Sequence, residues 1–546
     1  MLSYIAIFAL CVASTLGDPI VSIPDGQVRG LELQTSSNKS FYGFQGIPYG
    51  LPPVGDLRFQ APLPAEPWSG ILNATHEASP CIFLVNYSYY PDPLVENEDC
   101  LFINVYTPTL DSSSKLSVMF WIYGGGYVGG SGEYRYYGAD YLVEDDVVVV
   151  TFNYRLGPFG FLSTGDEVIP GNAAMKDQVL ALQWVKKNIE YFGGDPDKVT
   201  IFGESSGGMS VGLHLISKQS AGLFRAAICQ SSCTIVLGYQ LDPKALIYSV
   251  AQVLDESITR QNTSQELKEL LLRTPADVLN NACTQVDTHL FRPVLEVDSE
   301  GAFMTEPLFG LIESGNINKV PLIIGTCEEE ALGFLKTLDK LTATANTWDT
   351  DVESLIPEDL IPLPGSNLTE IGQSIKELYV GKGGSFSTQL AQALAYDTDN
   401  IFLRGTIKQV QLQSKYAPVY LYKFSFNGTK SQDHYHVEGA GYVGHFDELP
   451  YIFKMEPFPL VTEADDLARR ITTKLWTNFA KTLNPTPTPE ETELLQNVTW
   501  PLATPENLQY LNIDTALEVR RDAKSDRWAG WDYIFYKYGT QPFMSF

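Results

Sequence analysis

Ten residues restrict the fold of this chain more than any others: Val199-Thr-Ile-Phe-Gly203-Glu204-Ser205-Ser206-Gly207-Gly208. The β-branched and aromatic run reads as a strand. Gly203-x-Ser205-x-Gly207 then reads as a sharp turn that lifts one serine above a sheet before a helix begins. Glycines on either side of Ser205 remove side chains that so tight a strand-turn-helix would force together. The helix behind the turn presents the positive end of its dipole, which favours negative charge there. Ser205 is therefore the candidate nucleophile. So short a pattern recurs by chance in long chains, and its chemical partners have to be sought elsewhere in the sequence.

Further strand-like runs recur at Leu101–Tyr106, Val118–Tyr123, Val147–Phe152, Ala226–Cys229, Val320–Ile324, Val419–Phe424 and Leu508–Ile513, after an antiparallel start over Ile20–Arg29. Several are continuously apolar, as strands covered on both faces are. Between them, Asp177–Phe192 and Leu467–Phe479 carry helical spacing of apolar residues. A Pro/Gly-rich loop is expected over Gly46–Phe59. The alternation predicts an α/β fold with a large, mostly parallel central sheet flanked by helices. The stretch from Ala331 to Lys415 has weak strand signals and proline breaks, and is expected to pack helices over the sheet. In such sheets functional loops gather at the carboxyl ends of strands, where Ser205 stands.

Residues 1–17 contain no charged side chain, form an apolar core and end in small residues before Asp18, which reads as a secretory signal peptide. No other run approaches the roughly 20 apolar residues that span a bilayer, so no membrane anchor is expected. Residues 18–546 read as a single domain, with no repeat or long linker to divide them. A net charge of −28 opposes binding to nucleic acid or an anionic membrane. The sequons at Asn38, Asn73, Asn86, Asn262, Asn367, Asn427 and Asn497 fit an extracellular, glycosylated product. Of the cysteines, Cys81, Cys100, Cys229, Cys233, Cys283 and Cys327 lie beyond the leader. An exported chain can keep disulfides, and Cys81 with Cys100 would close a compact loop. Cys229, in an apolar run, reads as a small buried hydrophobe.

A serine hydroxyl needs a base, a group that orients the base, and donors for the oxyanion. Trp121-Ile-Tyr-Gly124-Gly125-Gly126 follows an apolar strand, and its glycines let backbone N–H groups turn toward a ligand. The chain has six histidines. His214 lies inside the helix behind Ser205 and reads as structural, whereas His445 follows a strand and a glycine-rich loop. His434 and His436 share one strand face but lack further ligands nearby, so no metal is expected. Glu328, Glu329 and Glu330 follow an apolar strand, where an orienting carboxylate would stand.

Together the segments resemble the type-B carboxylesterases, α/β-hydrolases that include cholinesterases and the secreted insect carboxylesterases, antennal esterases among them. The resemblance is carried by Gly46-Ile-Pro-Tyr, Pro52–Phe59, Glu98–Tyr106, Trp121–Gly126, Asn153–Phe161, Gly171-Asn, Asp177-Gln, Ala181–Trp184, Gly194–Gly208 and Gly444–Phe453. It implies an α/β-hydrolase fold with helical covering insertions, and Ser205 as nucleophile, Glu330 as orienting acid and His445 as general base. Backbone N–H groups of Gly125, Gly126 and Ser206 would form the oxyanion hole. Ser206, where the family usually has alanine, is expected to change little. Ala331 replaces a typical glycine, which leaves Glu329 as the alternative acid. The resemblance also pairs Cys81 with Cys100 and Cys233 with Cys283, makes Arg58–Glu98 a structural ion pair, and puts Ser231 near the acid and Glu204 beside the nucleophile.

These roles imply a secreted serine esterase that acts through an acyl-enzyme without a cofactor, on a small-molecule ester. Tyr90 stands where cholinesterases of the family stack choline on tryptophan, which disfavours a cationic substrate. Glu204 stands where juvenile hormone esterases usually carry glutamine. Uncharged odorant, pheromone, dietary or xenobiotic esters are the expected class, ahead of choline or hormone esters. A non-catalytic adhesion ectodomain on the same fold is the alternative from another class.

Overall fold

The structure is a computed structural model in which residues 18–85, 94–232, 235, 239–487, 493–521 and 524–546 are described. The expected leader, Asn86, Tyr90 and Cys233 lie outside the described residues.

A small sheet joins β1 (Ile20–Ile23), β2 (Gly26–Arg29) and β5 (Ile71–Asn73). The other strands are β3 (Leu31–Gln34), β4 (Ser40–Pro48), β6 (Phe102–Thr107), β7 (Leu116–Ile122), β8 (Val148–Phe152), β9 (Gly194–Glu204), β10 (Ala226–Gln230), β11 (Leu322–Cys327), β12 (Val419–Phe424), β13 (Gln509–Ile513) and β14 (Glu518–Arg521). They form one sheet in the order β14-β13-β12-β11-β10-β9-β7-β8-β6-β4-β3. Neighbours from β8 through β13 run parallel. Antiparallel strands close both edges. Val148-Val-Val-Thr-Phe152 is buried at every position, which is why an unbroken β-branched run suits this central strand.

Strand order reverses at β7, which has β8 on one side and β9 on the other. A reversal opens a crevice at the carboxyl ends, because the connections leave to opposite faces of the sheet. The register Ile122↔Gly203 sets Gly124 level with Ser205, and Glu204↔Gln230 brings the end of β10 alongside. Helices cover the sheet. Leu467–Phe479 lies inside a helix Glu463–Thr482, and the helix expected over Asp177–Phe192 spans Ala173–Asn188, then tightens into a 3₁₀ turn, Ile189–Phe192. Ala331–Lys415 contributes helices Leu338–Thr350, Leu368–Val380, Leu390–Thr398 and Arg404–Gln413.

Cys81 and Cys100 are joined by a disulfide. Cys283 is a free, buried thiol among Leu279, Leu271 and Phe291, and burial holds it protonated; Cys233, its expected partner, lies outside the described residues. Cys229 is buried in the core, as its apolar run implies. Arg58 grips Glu98 with two hydrogen bonds of 2.6 Å and donates to the carbonyls of Leu271 and Thr274, a structural clamp. Asn38, Asn73, Asn367, Asn427 and Asn497 are exposed and Asn262 is half-buried.

Candidate active site

The turn after β9 is built by close backbone packing. A Cβ on Gly203 would stand 2.6 Å from the carbonyl oxygen of Ile122, and one on Gly207 2.0 Å from the same atom. Neither approach tolerates a side chain. Gly207→Ala is accordingly expected to destabilise the protein by about 3 kcal/mol or more, or to abolish folding, as measured by urea denaturation. Between these glycines Ser205 adopts φ +57° and ψ −128°, outside the usual regions for a side-chain-bearing residue. Such strain, of order 1–3 kcal/mol, persists only where surroundings enforce it. Here the Ser205 N–H donates to the Gln230 carbonyl at 3.0 Å, and its own carbonyl accepts from the Met209 N–H at 2.9 Å. Helix Ser206–Ile216 starts behind it.

The glycine loop after β7 lies against this turn, with a Cβ on Gly124 only 3.0 Å from the Cβ of Ser205. Gly125 (φ +111°) and Gly126 (φ +62°) adopt conformations that favour glycine. Among the described residues the N–H groups of Gly125, Gly126 and Ser206 donate to no protein acceptor. Ser206 has a part that its main chain alone did not suggest: its hydroxyl accepts from the Tyr127 N–H at 3.2 Å, tying the turn to the glycine loop.

Glu330 and His445 arrive from the loops after β11 and β12. The fully buried Glu330 carboxylate accepts from the Cys327 N–H through Oε1 (2.7 Å) and meets His445 Nδ1 through Oε2 (2.6 Å). The neighbouring Glu329 carboxylate instead accepts from the Gly441 N–H at 3.3 Å. A Cβ on Gly333 would stand 2.6 Å from the Cβ of His445, so the loops touch. On its other side, His445 Nε2 lies 3.0 Å from Glu204 Oε1 as a charge contact without hydrogen-bond alignment. Among the described residues no hydrogen bond joins Nε2 to the Ser205 hydroxyl. Bonds between such groups often tighten only when substrate binds.

Burial by itself would lower the pKa of His445. The charges of Glu204 and Glu330, and the hydrogen bond that Nδ1 donates to Glu330, outweigh it and raise the value to about 9. Burial raises Glu204, which the His445 charge partly offsets.

Beneath Glu330 lies a group that sequence reasoning did not single out. Glu448 is buried, accepting from the Ser231 hydroxyl at 3.2 Å and contacting the Cys327 thiol at 2.9 Å. Burial and the Glu330 charge push its carboxyl up to about 7. Ser231 thus reaches the neighbourhood of the acid through Glu448. The signal was adjacency, since Glu448 follows His445 by three residues in the segment Gly444–Phe453. Phe334 and Phe402 were also missed: their rings lie 4.9 Å and 4.8 Å from the imidazole of His445. Nothing local marks either phenylalanine, because a fold contact makes them neighbours.

The other histidines lie elsewhere. His214 is buried between Ser220 and Gln178 and held neutral, with burial lowering its pKa to about 3. His434 pairs with Asp447, and His436 stacks on Tyr442. Among the described residues no group of three or more His, Cys, Asp or Glu side chains could hold a metal, and no helix is long and apolar enough to cross a membrane.

A family model described as "Carboxylesterase family" matches residues 17–531. The juvenile hormone esterase of Tribolium castaneum is 33% identical, with 89% of this chain and 86% of that protein aligned. Esterase E4 of Myzus persicae is 31% identical over 95% and 96% of the two chains. Among solved structures, juvenile hormone esterase from Manduca sexta, with OTFP covalently attached, superposes with a TM-score of 0.83 at 30% identity, covering 95% of this chain and all of that one. With the large mixed sheet and its covering helices, these matches establish that the chain belongs to the carboxylesterase family and is a carboxylic ester hydrolase of the α/β-hydrolase fold.

Proposed function

We propose that the protein is a secreted serine esterase acting through an acyl-enzyme on uncharged carboxylic esters, with residues 18–546 as one catalytic unit released from the leader 1–17. The observation that carries this reading is the strained Ser205, presented beside the glycine loop, with its neighbour Glu204 against His445 Nε2 and Glu330 against Nδ1. His445 takes the hydroxyl proton as Ser205 attacks the ester carbonyl. The N–H groups of Gly125, Gly126 and Ser206 hold the oxyanion. The imidazolium returns the proton to the departing alcohol, and water repeats the sequence on the acyl group. Phe334 and Phe402 line the imidazole with apolar surface, which suits an uncharged ester better than a cation whose hydration would be lost. Purified protein is expected to hydrolyse 4-nitrophenyl butyrate in preference to butyrylthiocholine and to be labelled by a fluorophosphonate on Ser205. No hydrolysis of either ester, or a label on another residue, would overturn the reading.

Because the base must be neutral to accept a proton, kcat/KM is expected to rise with pH as the imidazolium loses its proton, toward about 9. Glu204→Gln removes a negative charge 3.0 Å from Nε2 and so destabilises the imidazolium. Its pH–rate inflection is expected at lower pH than that of the wild type. An unmoved inflection would dissociate Glu204 from the base.

A further inference from the structure

Helix Leu390–Thr398 does not run directly into helix Arg404–Gln413. A π-helical turn, Asp399–Leu403, joins them, and its wider winding rotates the second helix by roughly 100° from the face a continuous α-helix would give it. Phe402 sits on this turn. Its ring lies 4.8 Å from the imidazole of His445 and 5.7 Å from Phe334, which itself lies 4.9 Å from the imidazole. The three rings form a triangle, so the π turn decides where one wall of the imidazole stands.

Both ends of that turn are held by the C-terminal helix Ser525–Tyr538 and the residue before it. Asp399, fully buried, accepts from Arg527 Nη1 at 2.8 Å, Lys524 Nζ at 3.2 Å and the Tyr379 hydroxyl at 3.0 Å. The Arg527 guanidinium also lies 4.5 Å from the centre of the Tyr379 ring. At the other end, Arg404 pairs with Asp359 at 2.7 Å and lies over the rings of Trp531 and Phe535 from the same C-terminal helix. Asp399 and Arg404, both fully buried, are strongly constrained in position, since leaving either unpaired is costly.

We propose that Arg527, acting through Asp399 and the π turn, is a positioning residue for the reaction: the C-terminal helix holds Phe402 against His445 and thereby keeps the imidazole aligned for proton transfer. This rests on His445 being the general base. Misalignment at a reacting centre is costly, and a shift of about 1 Å can lower the rate by about 100-fold.

The test is a double-mutant cycle on the full chain with 4-nitrophenyl butyrate, each variant's active sites being counted by fluorophosphonate labelling. Arg527→Gln leaves Lys524 to neutralise Asp399 and is expected to lower kcat per labelled site about 10-fold, as is Phe402→Ala, with the double variant within about twofold of Phe402→Ala. A purely structural role would reduce the number of labelled sites and leave kcat per site unchanged. That result, or losses that multiply in the double variant, would overturn the proposal. If Arg527→Gln does not accumulate, Tyr379→Phe removes a single hydrogen bond to Asp399 and takes its place, with an expected loss of about threefold that vanishes in the Phe402→Ala background. A wild type that neither hydrolyses the ester nor takes the label would instead refute the serine esterase reading.

Discussion

Ser205→Ala is expected to lower kcat by about 10⁴-fold or more while the thermal transition stays near that of the wild type. In the proposed mechanism the hydroxyl attacks the ester carbonyl; among the described residues it takes part in no hydrogen bond that holds the fold. Its backbone is secured instead by the Gln230 carbonyl and the Met209 N–H, which alanine leaves in place. The loss should fall on kcat more than on KM, because covalent attack is absent from the ground state. Steady-state hydrolysis and differential scanning fluorimetry on the same preparation check both halves. Undiminished turnover in Ser205→Ala would refute the assignment.

Glu330→Gln is expected to lower kcat by about 10³- to 10⁴-fold. The carboxylate accepts two donors, the Cys327 N–H and His445 Nδ1. An amide can keep the first through its oxygen only by turning its NH₂ toward Nδ1. That favours the tautomer whose Nε2 already carries a proton and cannot accept one from serine. The imidazolium also loses a negative charge 2.6 Å away that stabilises it. Glu329→Gln is expected to stay within about twofold of the wild type, since that carboxylate bonds the Gly441 N–H instead. Equal losses in the two variants, measured as kcat with 4-nitrophenyl butyrate, would reject Glu330 as the orienting acid.

Much of the central sheet is legible in the chain because its strands are covered on both faces, and continuous apolar runs such as Val148–Phe152 leave little choice of conformation. Other strands were hidden. β4 carries Gly43, Gln45 and Gly46 and changes register between Phe44 and Ile47, so its alternation is broken where a bulge interrupts pairing. The first half of β9, Gly194-Asp-Pro-Asp-Lys198, has the composition of a turn: only Gly194 pairs there, with Leu116 of β7, before the register shifts and pairing resumes at Val199. Glu518–Arg521 is exposed throughout and is a strand by virtue of its antiparallel pairing with β13. Its side chains therefore show no buried face to read.

Local sequence alone marks the candidates: the serine between paired glycines, the glycine loop after an apolar strand, the acids after another, and the histidine before Phe446-Asp447-Glu448. Those are local properties, because turn geometry and backbone exposure depend on a few neighbouring residues. It took the folded arrangement to place Glu330 rather than Glu329 against His445 Nδ1, to set Glu204 against Nε2, and to bring Phe334, Phe402 and Glu448 around the imidazole. Each of these is a distance between segments far apart in the chain. Such distances follow from the reversal of strand order at β7 and from the packing of covering helices, and side-chain type alone does not encode them.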